Sequence, residues 1–301
     1  MKHLYIVLFL IFSFVARTQN YVDIAKTHYA NTPVNQFDST TNGTRVQEYG
    51  LDFIYPIQLK NGNAILTGFY AERISTHTSP DHSNLTAVGT VLLKAGINIK
   101  HTDKISVTYM LLPKLSSDFK DLGIKDFQLG ALALMKYKKS ENFTYQAGLY
   151  YNGELFGPFL VPILGFYYLS PNKKFETNVK IPVSIDLNYA IQPWLKGGIN
   201  FAAFVRTFHL NESYKGNPDN YLTKTTNEIY GYLQFETKKG LILQTKVGYS
   251  IGRNYRVYDI EDRVTWGFSA FKFGDDRTQL NTDFSDGMIL KAKLIYRFSL
   301  D

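Results

Sequence analysis

The residues best suited to catalysis in this chain lie close together near position 80. His77, Ser79, Asp81, His82 and Ser83 all fall within one polar stretch. Ester hydrolysis requires a serine nucleophile beside a histidine base that a third group orients. No regular spacing fixes these side chains relative to one another, and surface loops commonly contain the same residues. The stretch therefore leaves enzymatic activity uncertain and assigns no catalytic residue.

A second group of polar side chains lies near the carboxyl terminus. Asp275, Asp276, Asp283 and Asp286 crowd one segment, and their hard oxygen atoms are ligands that suit Ca²⁺. Their spacing matches no EF-hand pattern, so they are weak metal candidates and a solvated loop is the better interpretation. No metal site is assigned.

Composition excludes several other kinds of chemistry. The chain has no cysteine, which excludes disulfide scaffolds, thiolate metal sites and cysteine nucleophiles. The formal net charge is +7, but the lysines are scattered rather than gathered in a basic block, so no nucleic-acid partner is expected. No cofactor is indicated.

The elements that would position any site show a two-residue period. Between Phe175 and Tyr189 almost every odd-numbered residue is apolar and almost every even-numbered residue is polar. Because successive side chains of a strand point to opposite faces, this pattern gives one apolar and one polar face. The same alternation of apolar and polar residues recurs at 49–59, 91–99, 241–251 and 288–298.

The connections between these stretches alternate in length. Short turns rich in Gly, Asn, Asp, Pro and Ser alternate with longer polar loops at 75–86, 114–126, 211–224 and 273–287. Short turns on one side and long loops on the other are typical of outer-membrane barrels, with the turns in the periplasm and the loops outside the cell. The 22 Tyr and 22 Phe residues cluster near strand ends, where aromatic girdles are expected.

A soluble sandwich would show the same alternation, so strand length decides between the two folds. Many segments run for about 10 residues or more, the length that crosses a membrane at a tilt. We therefore predict an all-β fold, a closed antiparallel transmembrane β-barrel of about 14 strands within a range of about 12 to 16. Pro182-Val183-Ser184 is a candidate external turn, and Val264–Phe273 is either a loop hairpin or a sign of a miscounted strand.

The phase of the alternation also predicts which charges face the barrel interior. Both signs occur there, so neighbouring charges can pair and fill a narrow lumen, or they can line a selective water-filled pore. Pairing depends on strand register, which leaves both possibilities open. The predicted lumen-facing residues are Glu48, Asp52, Lys94, Lys180, Asp186, Lys196, Glu228, Glu236, Lys246, Lys291, Lys293 and Arg297.

The amino terminus predicts export. Lys2 and His3 precede an apolar run from Leu4 to Ala16, which is too short to span a bilayer as a helix and is typical of a cleaved signal peptide. We assign residues 1–19 to the signal peptide and 20–301 to the barrel domain, located in a bacterial outer membrane.

The last predicted strand resembles the signal that the barrel-assembly machinery reads. It alternates apolar residues and ends on Tyr296 and Phe298, although three residues follow the final aromatic. The assembly machinery and outer-membrane lipid are the partners that this ending implies.

Three passages resemble an uncharacterised family of Bacteroidetes-type outer-membrane barrels, defined as a domain of unknown function. They are Phe53–Lys60, Asn254–Asp259 and Phe271–Asn281. The resemblance implies a fold and a location but no activity. The leading interpretation is a passive channel or small-solute transporter; the alternatives are a closed structural or assembly-partner barrel and a surface lipid-modifying enzyme.

Overall fold

The computed structural model describes residues 21–38, 40–81, 85–211, 213–214 and 216–299, so the predicted signal peptide lies outside the described residues. The described residues form sixteen strands and one short 3-10 turn, η1 (Ile124–Asp126). The first eight strands are β1 (Tyr21–Gln36), β2 (Gly43–Gln58), β3 (Ala64–His77), β4 (Leu85–Lys100), β5 (Ile105–Ser117), β6 (Phe127–Lys138), β7 (Phe143–Glu154) and β8 (Gly157–Leu169). The other eight are β9 (Phe175–Ile181), β10 (Ser184–Gln192), β11 (Leu195–Leu210), β12 (Asn220–Glu236), β13 (Leu241–Asp259), β14 (Trp266–Phe268), β15 (Phe271–Phe273) and β16 (Met288–Ser299).

Fourteen of these strands close into an antiparallel barrel. β1 to β13 pair in chain order, and β16 pairs with both β13 and β1 to complete the ring. The closing register joins Tyr21 to Ser299 and Asn31 to Leu290. The predicted all-β barrel of about 14 strands is confirmed, with short turns at one end and mostly longer loops at the other, where β7–β8 and β9–β10 are joined by tight turns instead. None of the described residues forms a helix that is long and apolar enough to cross a membrane.

The outward face of the barrel is apolar along the predicted phase. Val247, Ile199 and Leu93 are among its most exposed residues, at 57%, 57% and 56%. At the short-turn end, Trp194 stacks on Phe235 with ring centroids 6.2 Å apart, in the place where an aromatic girdle meets the lipid headgroups. This surface suits lipid, because apolar side chains are costly to expose to water but not to the apolar lipid tails.

The wall is incomplete where β9 and β10 stand. These strands have only 7 and 9 residues, and the turn at Pro182 and Val183 joins them as predicted. β8 continues beyond them, so its outer part, from Gly157 to Ile163, has no β9 partner. We call this gap the notch.

A hairpin from the last long loop fills the notch. β14 pairs in parallel with β8, joining Gly267 to Phe159. β14 and β15 are the two strands within Val264–Phe273, so that segment is a loop hairpin and the barrel keeps an even strand number. Its outward face carries four exposed aromatic residues, Trp266, Phe268, Phe271 and Phe273.

The outer part of β11, β12 and β13 forms a lid over the lumen. Beyond Ala202, β11 has lost β10 as a neighbour, and its free edge instead contacts the inner sides of β5, β6 and β7. Both faces of the lid are buried: five consecutive residues, Asn220–Lys224, are all inaccessible. Under the lid lies a plug of apolar side chains, Phe37, Val46, Ile74, Val88, Phe208, Leu210, Tyr214, Leu222, Tyr255, Val257 and Phe284.

Candidate functional site in the barrel lumen

A polar cavity occupies the half of the lumen near the short turns. We call it the basin; its volume is about 880 Å³. Amide, hydroxyl and charged side chains from most of the strands line it, because the polar phase of the alternation points inward. The lining includes Lys26, Lys136, Asn178, Lys180, Asp186, Asn188, Asn200, Tyr232, Gln244, Lys246 and Lys293.

Each of the twelve predicted lumen-facing charges lines the basin or forms an ion pair, and Arg297 does both. Lys180, Asp186, Lys246, Lys293 and Arg297 line the basin. The pairs are Asp52 with Lys94, Lys196 with Glu236 at 3.0 Å, Glu228 with Lys291 at 3.9 Å, Arg297 with Asp23 at 2.7 Å, and Glu48 with Lys224.

Two ion pairs cross the lumen just below the plug. Lys224 on β12 pairs with Glu48 on β2, and Arg206 on β11 pairs with Glu72 on β3. Tyr255 adds a hydrogen bond to Glu48 at 3.1 Å. The strands in each pair are not neighbours in the wall, so these bonds join the lid to the opposite side of the barrel.

The free edge of β11 is held by buried polar groups. The main-chain N–H of Thr207 donates to Glu154 at 2.9 Å, and its carbonyl accepts a hydrogen bond from Ser116 at 2.7 Å. Lys114 lies 3.3 Å from Glu154 and balances its charge. The main-chain groups of Thr207 are thus satisfied by side chains of the opposite wall, and those of His209 pair with the main chain of β5 and the loop after it, as a buried strand edge requires.

His209 fastens the tip of the lid. Its Nδ1 lies 2.8 Å from Asp126 in η1, and its Nε2 lies 2.7 Å from Asp219 in the loop after β11. A ring between two carboxylates donates to both when both nitrogens carry protons. Asp219 also pairs with Lys125, so the tip, η1 and the loop form one network.

The sequence pattern does not identify several of the inward charges. Lys26 and Lys136 belong to strands whose alternation is weak, although Met135 and Tyr137 already give the outward phase of β6. Glu72, Arg206 and Lys224 carry the same inward phase, but only the folded lid shows that they meet.

In the described part of the serine and histidine stretch, the serine hydroxyl bonds to the plug. Ser79 is 5% exposed, and its hydroxyl lies 3.0 Å from the hydroxyl of Tyr214 at the edge of the plug. The main-chain N–H of His77 donates to Thr44. His82 and Ser83 lie outside the described residues.

The four aspartates of the last loop do not converge. Asp283 binds Arg256 at 2.6 Å, and Asp286 accepts the main-chain N–H groups of Gly252 and Arg253. The hydrogen bond from Arg277 holds the pKa of Asp275 below its usual value. Across the described ranges, no group of three His, Asp or Glu side chains is arranged to hold a metal ion.

Comparison with known families gives one match over most of the chain. Residues 21–288 match the family model described as "Domain of unknown function (DUF6268)". No curated protein matches the chain significantly.

Similar solved structures are outer-membrane proteins with little sequence likeness. The COG4313 outer membrane channel from Pseudomonas putida F1 is 9% identical, with a TM-score of 0.44 over 92% of this chain and 96% of that one. The P. putida toluene transporter TodX is 10% identical, with a TM-score of 0.42 over 92% and 90% of the two chains. The NanC porin is 9% identical, with a TM-score of 0.35 over 90% and 98%.

Proposed function

The chain belongs to the DUF6268 family, a family of unknown function, and we propose from the architecture of its lumen that it is an outer-membrane channel for small solutes. In this proposal the basin opens to the periplasm, and the lid with its plug closes the outer half. The state described here is the closed one.

The observation that carries the proposal is the unequal filling of the two halves of the lumen. A barrel of purely structural use gains stability by packing its interior throughout, whereas here a polar basin of about 880 Å³ is kept at one end. The other end is closed by the outer parts of β11, β12 and β13, which bend inward and bond across the lumen, as with Lys224 to Glu48. Such a closure can be released without opening the wall.

The packed outer half also favours a second candidate, a closed barrel of structural or assembly-partner function. Eleven buried apolar side chains make up the plug, and removing water from it stabilises the closed state. The two candidates differ in one property, which is whether the plug ever leaves the lumen while the wall stays intact.

Conductance of a lid variant distinguishes these candidates. Glu48→Gln combined with Glu72→Gln removes the two carboxylates that pair with Lys224 and Arg206 of the lid. Because loss of one partner of a buried ion pair costs about 3–5 kcal/mol, the closed lid should lose much of its advantage. Refolded protein in planar bilayers should then give current steps far more often than the unaltered chain.

Glu236→Gln is the matched control, since Glu236 pairs with Lys196 on the neighbouring wall strand rather than across the lumen. It should conduct as rarely as the unaltered chain. If the lid variant folds, as heat-modifiable gel mobility would show, and still carries no current, the channel proposal is wrong and the closed barrel remains.

A further inference from the structure

The basin has more positive than negative charge on its walls. In the part of the chain that the structure describes, nine lysine and arginine side chains line it against four aspartate and glutamate side chains. Charges in a cavity with low-dielectric walls act strongly on ions inside it, because the surrounding protein and lipid screen them poorly.

The acidic groups of the basin are already engaged. Asp23 pairs with Arg297, and Asp103 pairs with Lys100 at 2.7 Å. Glu176 accepts hydrogen bonds from two tyrosine hydroxyls, and Asp186 accepts one from Tyr232 at 2.6 Å. Little acceptor capacity is left for the remaining cations.

Several lysines of the basin have no carboxylate within 4.0 Å among the described residues, and they include Lys26, Lys136, Lys180 and Lys293. They come from the adjacent strands β1 and β16 and from β6 and β9, which lie farther round the wall. Lys180 is close enough to Lys26 and Lys136 for their positive charges to repel its own, and Lys246 and Lys26 repel Lys293 in the same way. A cavity that gathers unpaired cations in this way favours an anion between them.

We propose that the basin is a binding site for small organic anions that carry several carboxylate or phosphate groups. Lysine ammonium groups bind such oxygens as point charges, without the planar geometry that arginine imposes. Asn178, Gln146 and Asn188 add neutral donors on the same surface, and a cavity of about 880 Å³ suits a metabolite-sized ligand. This inference names the solute class of the proposed channel and rests on that function for its role, but binding itself needs no open lid.

The test measures binding to the closed, full-length barrel refolded in a nonionic detergent. Citrate and inorganic pyrophosphate are titrated separately by calorimetry, and glucose serves as the uncharged comparison. Lys180→Met combined with Lys293→Met should weaken binding of either anion by about tenfold or more. Lys196→Met, which removes an inward lysine already paired with Glu236, should leave the affinity unchanged.

A second measurement needs no variant. Citrate or pyrophosphate should slow acetylation of Lys26, Lys180 and Lys293 in the unaltered chain, while Lys60 and Lys239, which lie in the short turns, react at their usual rate. Binding of one anion and not the other would identify the group recognised. No binding of either anion at millimolar concentration, or affinity and acetylation that ignore these lysines, would overturn the inference. Because conductance is not measured, that result would leave the channel proposal standing.

Discussion

Glu48 and Lys224 show what a single buried charge does in this lumen. Both side chains are largely inaccessible, so each has given up its hydration to form the pair. A buried ion pair of this kind adds little net stability, because the cost of desolvation offsets the attraction. Its effect is to fix the position of the lid. Both charges are paired in only one position, and a displaced lid would leave two buried charges without partners.

A new charge should lower the yield of folded barrel more on the outward face of a strand than on its inward face. Val247 on β13 is 57% exposed on the outer face, and Arg at the middle of the lipid-facing belt costs about 2–4 kcal/mol. Val247→Arg should therefore lower the yield of folded barrel, measured as the fraction with heat-modifiable mobility. Gln244→Arg, on the same strand but lining the basin, should fold nearly as well. Equal losses in the two variants would mean that the inner and outer faces are wrongly assigned.

Much of the residue-scale pattern was available from the sequence. The inward positions of Lys180, Asp186 and Lys246 follow from the two-residue period alone. The ion pairs across the lumen do not follow from the period. Lys224 and Glu48, for example, lie 176 residues apart and meet through the curvature of the lid.

At the scale of elements, a bulge in β13 explains where the period fails. The register with β12 shifts between Thr225 and Asn227, so that the inward phase changes from even residues, such as Lys246, to odd ones, such as Tyr255. An extra residue of this kind bends its strand and strengthens its twist. The bend begins where β11, β12 and β13 turn into the lumen as the lid.

The sequence could not predict the lid for a related reason. Where both faces of a sheet are buried, alternation no longer marks an outside, and the run from Tyr221 to Lys224 shows none. It did indicate Val264–Phe273 as a segment that did not fit the strand count, but the strand that this hairpin joins is remote in the chain.

The hairpin depends on a close approach at Gly267. A Cβ atom there would lie 2.8 Å from the ring of Phe159, which is itself buried against Phe156. Gly267→Val should displace the hairpin, since overpacking of this kind costs about 1–3 kcal/mol. Trypsin should then cleave at Lys272 and Arg277 about tenfold faster in the folded barrel.

Gly231→Val is its control, because a Cβ at Gly231 on β12 meets nothing within 4 Å. Cleavage in that variant should match the unaltered chain. If Gly267→Val is cleaved no faster than the control, the hairpin is not held by its contact with β8.

At the scale of the whole molecule, closure depends on β16. This strand pairs with β13 on one side and β1 on the other, and lipid cannot satisfy the two edges that its loss would expose. The apolar face it contributes ends on Tyr296 and Phe298, which are 48% and 52% exposed.

Loss of the terminal aromatic should reduce assembly in cells. Phe298→Ala is expected to lower the amount of heat-modifiable barrel in outer-membrane fractions partially, because the ending resembles the signal of the assembly machinery. Removing residues 288–301 should abolish it. Tyr249→Ala, which removes an outward aromatic of equal exposure from β13, should leave the amount unchanged. An effect as large from Tyr249→Ala would indicate a general need for aromatics rather than a terminal signal.

The hairpin in the notch also sets an order of events during folding. Gly267 joins Phe159, which lies 108 residues earlier in the chain, and it can do so only after β13 has placed the loop above β8. Contacts that span so many residues form late, since the intervening chain must first be ordered. Until then the outer edge of β8 keeps its main-chain donors and acceptors unpaired. The ring of fourteen strands can therefore close while the notch is still empty, and the hairpin of the last loop fills it afterwards.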